Sequence, residues 1–593
     1  MWVKILLLFF VFSFLFKTDN SFDQDLGRHI KLGEIIWQTK QVPATNLFSY
    51  TNPDFPFVNT HWLFEIFVFL GQQTIELEAL LVLKVIILLA SVFLILKIVP
   101  KENRALLLPI GFIFLHVLRE RTELRPEIFS FLFTAVTYYI LNDFLVRAKS
   151  RTYLNTIYLL PIIQLLWINT HIYFFVGLVL QAIFLLHLGY QKLRFHPKGG
   201  NTKLMGIIFC LSVMASLINP AGLAGLLYPL NVTQNYGYTI VENQTMFLLE
   251  SINFRDPNFL FVKISSLLIA LSIIVVCLSS LRRQGSNYQN SAMDSRRSLP
   301  RATTRGGNDK GDGNCLKNIL ISLFGLTLAL MNVRSFPYLV FLSLPAVLQN
   351  SGSIKSSFIK ILVFIFGILL ILESYLYLNG EYYKSRDDGN KPGLVVTESG
   401  KAALDFVLEN NLPSTIYNNF DIGSYIIYRG YPKYQVFVDG RPEAYPKEFF
   451  QQVYVPAQSG YPRFKELESK YGFKTIIFSI TDQTPWGKAF LVSVVKDSDW
   501  KTVYLDDFII VLVKSDVLAL QGRTLQALDL SKLDPNTYSF KSYLSYLRLS
   551  LFLLQTGNTQ SAEKFAKVGL SLSPKSPLGN ALFGTNISSK FFW

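Results

Sequence analysis

The residues best suited to chemistry follow a short apolar segment at the start of the chain. Asp23 and Asp25 are separated by one residue, and Arg28 and His29 come directly after them. Two carboxylates close together push their pKa values apart, so that one of them can accept a proton from a hydroxyl group. Asp23 and Asp25 are therefore candidate general bases. A helix cap is the alternative, because carboxylates also suit helix N-termini.

The spacing of Asp25 and His29, one helical turn, recurs at His61 and Glu65. Carboxylate and imidazole groups at this spacing can bind a divalent cation, and these four residues are a possible metal site. Hydrogen bonding in a packed loop accounts for the same spacing. The sequence thus allows a divalent metal but does not require one, and it indicates no other cofactor.

Further polar residues lie at the ends of apolar segments. Arg125 begins one such segment and Arg334 lies between two others. Because a guanidinium can bind phosphate bidentately, both are predicted phosphate ligands, with ion pairing to nearby glutamates as the alternative. Asn169 and His171 interrupt two apolar segments, where lipid cannot solvate them, and this favours a role in substrate binding over a simple turn.

The apolar segments define the architecture. Half of the 593 residues are hydrophobic and only 16% are charged, which predicts a polytopic α-helical membrane protein. A span needs about 20 mostly apolar residues. We predict about eleven spans, near 1–16, 75–96, 104–118, 126–146, 152–168, 171–191, 204–219, 259–281, 316–332, 335–350 and 357–378.

Basic residues concentrate in the short loops between these spans, although the net charge is +15. This pattern orients membrane proteins and argues against nucleic-acid binding. With the N-terminus in the cytoplasm, the basic loops fall inside, together with a polar insertion at 282–315 that is predicted to be disordered. The loop 17–74 and everything after residue 379 then lie on the outer side.

The chain after residue 379 has the composition of a soluble protein. Strands are predicted at 415–418, 434–438, 474–480 and 508–514, and helices between them indicate a small parallel α/β domain over 380–518. Asp439 and Arg441 come after a predicted strand, where ligands often bind in α/β sheets. Turn formation by Asp-Gly is the alternative.

A helical tail at 519–593 follows. Its residues 537–575 match one degenerate tetratricopeptide repeat, at Tyr546, Leu549, Leu553, Gly557, Ala562, Ala566 and Pro574. One repeat cannot bury its own apolar face, so the tail is expected to pack on the α/β domain or to bind a protein partner.

The first outer loop also carries a family resemblance. It contains Asp-x-Asp-x-x-x-His-x-x-x-Gly from Asp23, then Pro-x-x-Asn-x-Phe-Ser-Tyr-Thr from Pro43, then Asn-x-His-Trp-Leu-x-Glu from Asn59. With the many spans of residues 1–379, these motifs resemble the GT-C superfamily of integral membrane glycosyltransferases. More narrowly, they resemble bacterial mannosyltransferase-like membrane proteins without an assigned substrate. The likeness covers about 1–350 in layout, with a second matching stretch at 416–445.

The resemblance implies a sugar donor carried on a polyprenyl phosphate lipid and an acidic base from the first outer loop. Asp25 is preferred over Asp23, because Arg28 and His29 follow it and can orient it. The Asp-Gly-Arg motif implies that Asp439 and Arg441 belong to the same site. His61 and Glu65 are further candidates for substrate binding.

Two other functional classes compete with a lipid-dependent glycosyltransferase. A transporter normally places charges near the middle of the bilayer and has repeated halves, whereas the polar residues here gather at one face. A non-enzymatic scaffold with an outer binding domain needs only one or two spans.

The predicted orientation can be tested with reporter fusions at Gln284 and Gly460. Because the basic loops orient the chain, we expect the first reporter in the cytoplasm and the second outside. Both reporters on the same side would refute the predicted orientation.

Overall fold

The structure is a computed structural model that describes residues 2–100, 103–147, 155–195, 201–231, 236–294, 310–351, 357–521 and 525–583. Its N-terminal part consists of helices: α1 (Trp2–Leu15), α2 (Gly27–Thr39), α3 (Trp62–Ile98), α4 (Arg104–His116), α5 (Glu127–Arg147), α6 (Leu159–Ile168), α7 (Phe175–Phe195), α8 (Asn201–Ala215), α9 (Gly222–Asn231), α10 (Met246–Ser251), α11 (Pro257–Asp294), α12 (Lys310–Met331), α13 (Leu344–Asn350) and α14 (Ser357–Leu378).

Many of these helices are apolar enough for a bilayer. Five of them, α3, α5, α7, α11 and α14, contain stretches long and apolar enough to cross it, and α1, α4, α6, α8 and α12 are shorter apolar helices. Large apolar side chains such as Phe364 on α14 are exposed, as expected of a surface that faces lipid. The chain is therefore a multi-pass membrane protein, while the number of eleven spans stays a prediction.

Helix α3 begins earlier than the sequence predicts. The predicted span 75–96 leaves His61 and Glu65 in a loop, but the helix starts at Trp62 and has one non-helical residue, Glu76, with φ 69°. The polar residues before Glu76 lower the local hydropathy and hide this first part of the helix. His61 and Glu65 therefore lie at a helix N-terminus, close to α2.

A buried ion pair fixes where the chain leaves the first helix. The Lys84 ammonium of α3 lies 2.9 Å from a carboxylate oxygen of Asp19, and both side chains are almost completely buried. Asp19 also accepts hydrogen bonds from the backbone N–H groups of Ser21 and Leu124. The sequence analysis overlooks Asp19, which ties α1, α3 and the segment before α5 together.

The polar insertion at 282–315 differs from the predicted disordered loop. Helix α11 continues to Asp294 and α12 begins at Lys310, so helices extend into both of its ends. Residues 295–309 of this insertion lie outside the described residues. So do residues 152–154 of the predicted fifth span.

The C-terminal part contains a four-stranded sheet with helices around it. The elements in chain order are as follows: α15 (Glu381–Lys384), α16 (Lys401–Glu409), β1 (Ile416–Asn418), α17 (Phe420–Gly430), α18 (Val455–Ser459), α19 (Tyr461–Tyr471), β2 (Thr475–Ser479), α20 (Pro485–Val494), β3 (Trp500–Leu505), β4 (Ile509–Lys514), α21 (Ser515–Gln521), α22 (Tyr543–Gln555), α23 (Thr559–Leu572) and α24 (Pro577–Phe583).

The prediction of a parallel sheet is wrong for most of this sheet. The strand order is β1-β2-β4-β3, and only β1 and β2 are parallel, with Ile416 opposite Thr475. Strand β4 runs antiparallel to both of its neighbours. Because β3 and β4 are joined by a short turn after Leu505, they form a hairpin, and the sequence analysis overlooks β3.

The predicted strand at 434–438 is absent from the described sheet. Val436 forms only an isolated parallel bridge with Ser49 of the first outer loop. Its apolar side chains are buried in the core, which explains the strand-like pattern. This stretch leads to Asp439 and contacts the outer loop instead of a neighbouring strand.

Helices α22 and α23 of the tail pack against each other as an antiparallel pair. Tyr546, Leu549, Leu553, Ala562 and Ala566 are buried, as the repeat pattern requires. Asp387, just after α15, accepts hydrogen bonds from Ser576 and from the Leu578 N–H. The tail is thus attached to the segment that follows the last apolar helix, and its kinship to tetratricopeptide repeats stays a prediction.

The first outer loop is attached to the C-terminal part along its length. The N–H of Thr397 donates to the Asp19 carbonyl, and the N–H of Val436 donates to the Phe48 carbonyl. The Tyr50 hydroxyl donates to the Ile416 carbonyl on β1. These three hydrogen bonds hold the loop between the apolar helices and the sheet.

Gly33 allows the closest crossing of α2 and α3. A Cβ atom at Gly33 would lie 2.0 Å from the Glu65 carbonyl oxygen, so Gly33→Ala must push the helices apart. We expect a loss of about 1–3 kcal/mol in the free energy of unfolding, measured by thermal unfolding in detergent. Gly206→Ala is the control, because a Cβ there meets nothing within 4 Å. Equal stability of the two variants would contradict the predicted crowding.

Candidate functional site

A cavity of about 380 Å³ lies where the first outer loop, the apolar helices and the C-terminal part meet. The first outer loop and the Arg125–Glu127 segment line one part of it. Side chains from 171–175, 228–229, 236–243 and 328–335 line another, and the C-terminal part contributes Gly440, Pro442 and Glu443. Of the predicted site residues, seven line the cavity: Asp25, Arg28, His29, His61, Arg125, His171 and Arg334.

Asp25 faces two arginines in this cavity. Its carboxylate lies 3.4 Å from a terminal nitrogen of Arg28 and 3.4 Å from one of Arg125. Burial raises the pKa of Asp25, but Arg125 and Arg28 outweigh that effect and the pKa is below its usual value. Asp25 is therefore ionised at neutral pH and is a weak proton acceptor.

Asp23 points away from the cavity. Its carboxylate accepts hydrogen bonds from the backbone N–H groups of Ser399 and Gly400, at 2.9 and 3.1 Å. Burial raises the pKa of Asp23 to about 6 even against these donors. The structure thus separates the two candidate bases: Asp25 belongs to the cavity, and Asp23 holds the C-terminal part in place at the start of α16.

Three arginines gather around one carboxylate, Glu242. Terminal guanidinium nitrogens of Arg121, Arg125 and Arg334 lie 2.7, 3.3 and 3.1 Å from it. Burial raises the pKa of Glu242, but the three arginines hold it well below the usual value. Both predicted phosphate ligands, Arg125 and Arg334, are in this group, which we call the arginine cluster (Arg121, Arg125 and Arg334).

The segment that carries Glu242 is anchored at both ends. The Tyr238 ring stacks on Phe420 at 4.6 Å between ring centres and also contacts Phe450 and Tyr454. The backbone of Gly237 passes so close to the Lys447 carbonyl that a Cβ would lie 2.4 Å from it. One end of this segment therefore contacts the C-terminal part, and the other contacts the arginine cluster.

His29 and Glu65 form a hydrogen-bonded pair across the crossing of α2 and α3. His29 Nδ1 lies 3.1 Å from Oε1 of Glu65, and the Asn59 amide donates to Oε2 at 2.6 Å. Glu65 is 1% exposed and lies behind His29, outside the cavity lining. The His61 ring is 5.8 Å from that of His29. Burial, with help from Arg28, holds the pKa of His29 well below its usual value.

His171 and Asn169 have different roles although they are neighbours. The Trp167 indole donates to Ser130 Oγ, and Ser130 Oγ lies 2.7 Å from His171 Nδ1 in the cavity wall. Asn169 accepts from the Trp62 indole and donates to the Ile218 carbonyl. The Asn169 amide thus joins three segments of the chain outside the cavity lining, and its role in substrate binding stays a prediction.

Asp439 and Arg441 are also placed behind the cavity. Nε and a terminal nitrogen of Arg441 donate to the two Asp439 oxygens at 2.7 and 2.8 Å, and the guanidinium also donates to Asn46. Both side chains are almost fully buried. Their pairing compensates both charges beside Gly440, and their membership of the site stays a prediction.

Glu443 was not predicted as a site residue. Its carboxyl group faces the cavity near the phenols of Tyr228 and Tyr236, and burial raises its pKa. Glu242 was overlooked as well. Its arginine partners lie on segments far from it in the sequence, so no local pattern indicates its role.

The possible metal site is not assembled. Within the ranges that the structure describes, no group of three or more His, Cys, Asp or Glu residues could hold a metal ion. Asp25 faces two guanidinium groups, whereas His29 and Glu65 bind each other. The four residues of the predicted metal site therefore do not converge on one point.

No protein-family model matches the chain. No curated protein matches it either.

Solved structures of the archaeal oligosaccharyltransferase AglB from Archaeoglobus fulgidus are similar to it. One, in complex with an inhibitory peptide and a dolichol-phosphate, has a TM-score of 0.53 at 11% identity, over 83% of this chain and 71% of AglB. Another, tethered to an acceptor peptide with the NVT sequon, has a TM-score of 0.50 at 10% identity, over 85% of this chain and 72% of the chain in that structure. At such identities the likeness concerns the fold alone.

Proposed function

We propose that this protein is a membrane glycosyltransferase that takes a sugar from a polyprenyl-phosphate-linked donor and transfers it to an acceptor at the outer face of the membrane. One observation carries the proposal: Arg125 and Arg334 of the arginine cluster line a single cavity together with Asp25. The fold shared with AglB supports it, since AglB has been solved with a dolichol-phosphate.

The arginine cluster is suited to the phosphate of the donor. Guanidinium groups bind phosphate oxygens through two parallel hydrogen bonds, and several of them together disperse the charge of the leaving group. Arg125 and Arg334 line the cavity, and without substrate their charge is compensated by Glu242, Asp25 and Glu127. A phosphate bound there exchanges partners with these carboxylates.

Asp25 is suited to stabilising the positive charge that develops on the sugar during transfer. Glycosyl transfer develops positive charge on the anomeric carbon, and an ionised carboxylate beside it lowers the energy of that state. Arg28 and Arg125 keep Asp25 ionised and hold it in place. Its low pKa makes this electrostatic role better suited to it than that of the general base.

Removing the charge of Asp25 tests the reaction centre. We expect Asp25→Asn to lower sugar transfer from a polyprenyl-phosphate donor at least about a hundredfold, because the stabilising charge is lost. Asp23→Asn is the matched comparison. It should mainly weaken the contact with Ser399 and Gly400 and leave most transfer activity. The assay measures labelled sugar leaving the lipid fraction, and full activity in Asp25→Asn would refute this role.

The arginine cluster is tested by variants that keep the charge. In Arg125→Lys and Arg334→Lys the ammonium remains but the planar fork is lost. We expect donor lipid to bind about tenfold to a hundredfold more weakly, from about 1.5–3 kcal/mol per charged hydrogen bond. The readout is binding of a polyprenyl-phosphate sugar to purified protein.

Arg463→Lys serves as the control for these variants, because Arg463 pairs with Glu466 on α19 away from the cavity. Unchanged donor affinity in both cluster variants would remove the arginines from the donor site.

A further inference from the structure

We propose that His29 removes the proton from the acceptor hydroxyl and that Glu65 is the residue that positions it. This inference rests on the proposed function and adds the proton acceptor that Asp25 does not provide. Its basis is the hydrogen-bonded pair across the crossing of α2 and α3, one face of which opens into the cavity.

The first step concerns the direction of the hydrogen bond between the two residues. Glu65 accepts from the Asn59 amide at one oxygen and faces His29 Nδ1 at the other, at 3.1 Å. A carboxylate that already accepts from an amide is an acceptor for Nδ1–H as well. His29 then carries its proton on Nδ1, and Nε2 has a free lone pair.

The second step concerns access to Nε2. His29 lines the cavity, whereas Glu65 does not. In the described part of the chain, Nε2 has no hydrogen-bond partner, and Nδ1 alone contacts Glu65. The basic nitrogen therefore faces the same space as Asp25, which is four residues earlier and one turn away.

The third step concerns the charges that surround the imidazole. Arg28 and Arg125 disfavour the imidazolium, while Asp25 and Glu127 favour it. The Glu65 carboxyl group, whose pKa is raised by burial, lies 3.1 Å from Nδ1, and the His61 ring is adjacent. Burial makes the neutral form prevail in the resting protein. A neutral imidazole next to a buried carboxylate can take a proton and have the new charge stabilised.

The reaction that follows is balanced. The acceptor oxygen forms a bond to the anomeric carbon of the sugar, and the bond from that carbon to the phosphate oxygen breaks with its electron pair on the phosphate. The hydroxyl proton moves to Nε2 of His29. Glu65 stabilises the imidazolium, which later returns the proton to water.

The test uses the full-length protein in detergent and a polyprenyl-phosphate hexose, with release of polyprenyl phosphate as the readout. We expect His29→Ala to lower release about 10²–10⁴-fold, the usual contribution of a general base. Added imidazole should restore part of the activity, since it fits a cavity of about 380 Å³. His29→Gln, which fills the same space, should be equally slow.

Glu65→Gln distinguishes a positioning role from a structural one. Activity requires neutral His29, so it falls as the pH drops below the pKa of His29. Removing the Glu65 charge disfavours the imidazolium, so the acid limb of the pH–rate profile should move to lower pH while kcat falls. Glu34→Gln, on the exposed side of α2 next to Lys31, is the control and should match the wild type in both readouts.

The outcomes separate the two proposals. If the wild-type protein releases lipid phosphate and His29→Ala does so within a few fold, His29 is not the base and the proposed function stands. The assignment is also overturned by a second result. In that result folded His29→Ala loses activity that imidazole does not restore, and the acid limb of the pH–rate profile does not move in Glu65→Gln. If the wild type acts on none of a panel of polyprenyl-phosphate sugars, the proposed function itself fails.

Discussion

A charged side chain inside an apolar helix is stable only when an opposite charge compensates it. Lys84 of α3 pairs with Asp19, and this ion pair fixes the segments next to α1 and before α5. Breaking such a buried pair by removing one partner typically costs about 3–5 kcal/mol. The pair brings the start of the outer loop against α3 and leaves Asp25 at the cavity. The ion pair outside the cavity thus helps to position Asp25, together with the contacts of Asp25 to Arg28 and Arg125.

The sequence contains most of the information on elements that form locally. The apolar runs predict the long helices, and Asp25, His29 and Arg125 were identified from types and spacing alone. The helices predicted between the strands of the C-terminal part are found there, among them α17 and α19. Hydropathy and local pattern suffice here because each residue's environment is set by its neighbours in the chain.

Other features depend on contacts that no local pattern records. Val436 belongs to an apolar, alternating stretch, yet it forms a single bridge to a loop nearly four hundred residues earlier. Glu242 has its role only because three arginines from separate segments converge on it. Arg441 follows a predicted strand in the sequence, but its guanidinium is buried and donates to Asp439, a pairing that the local pattern does not record.

The short segment from Tyr238 to Glu242 connects the C-terminal part to the arginine cluster. Its aromatic end is fixed among the rings of the C-terminal part, and its acidic end is held by the arginine cluster. Four residues can span only about 14 Å when fully extended, so the link has little slack. Any displacement of the C-terminal part relative to the helices therefore pulls on the carboxylate that neutralises the arginines. In this way the position of the C-terminal part affects how much uncompensated positive charge the arginine cluster presents to the cavity.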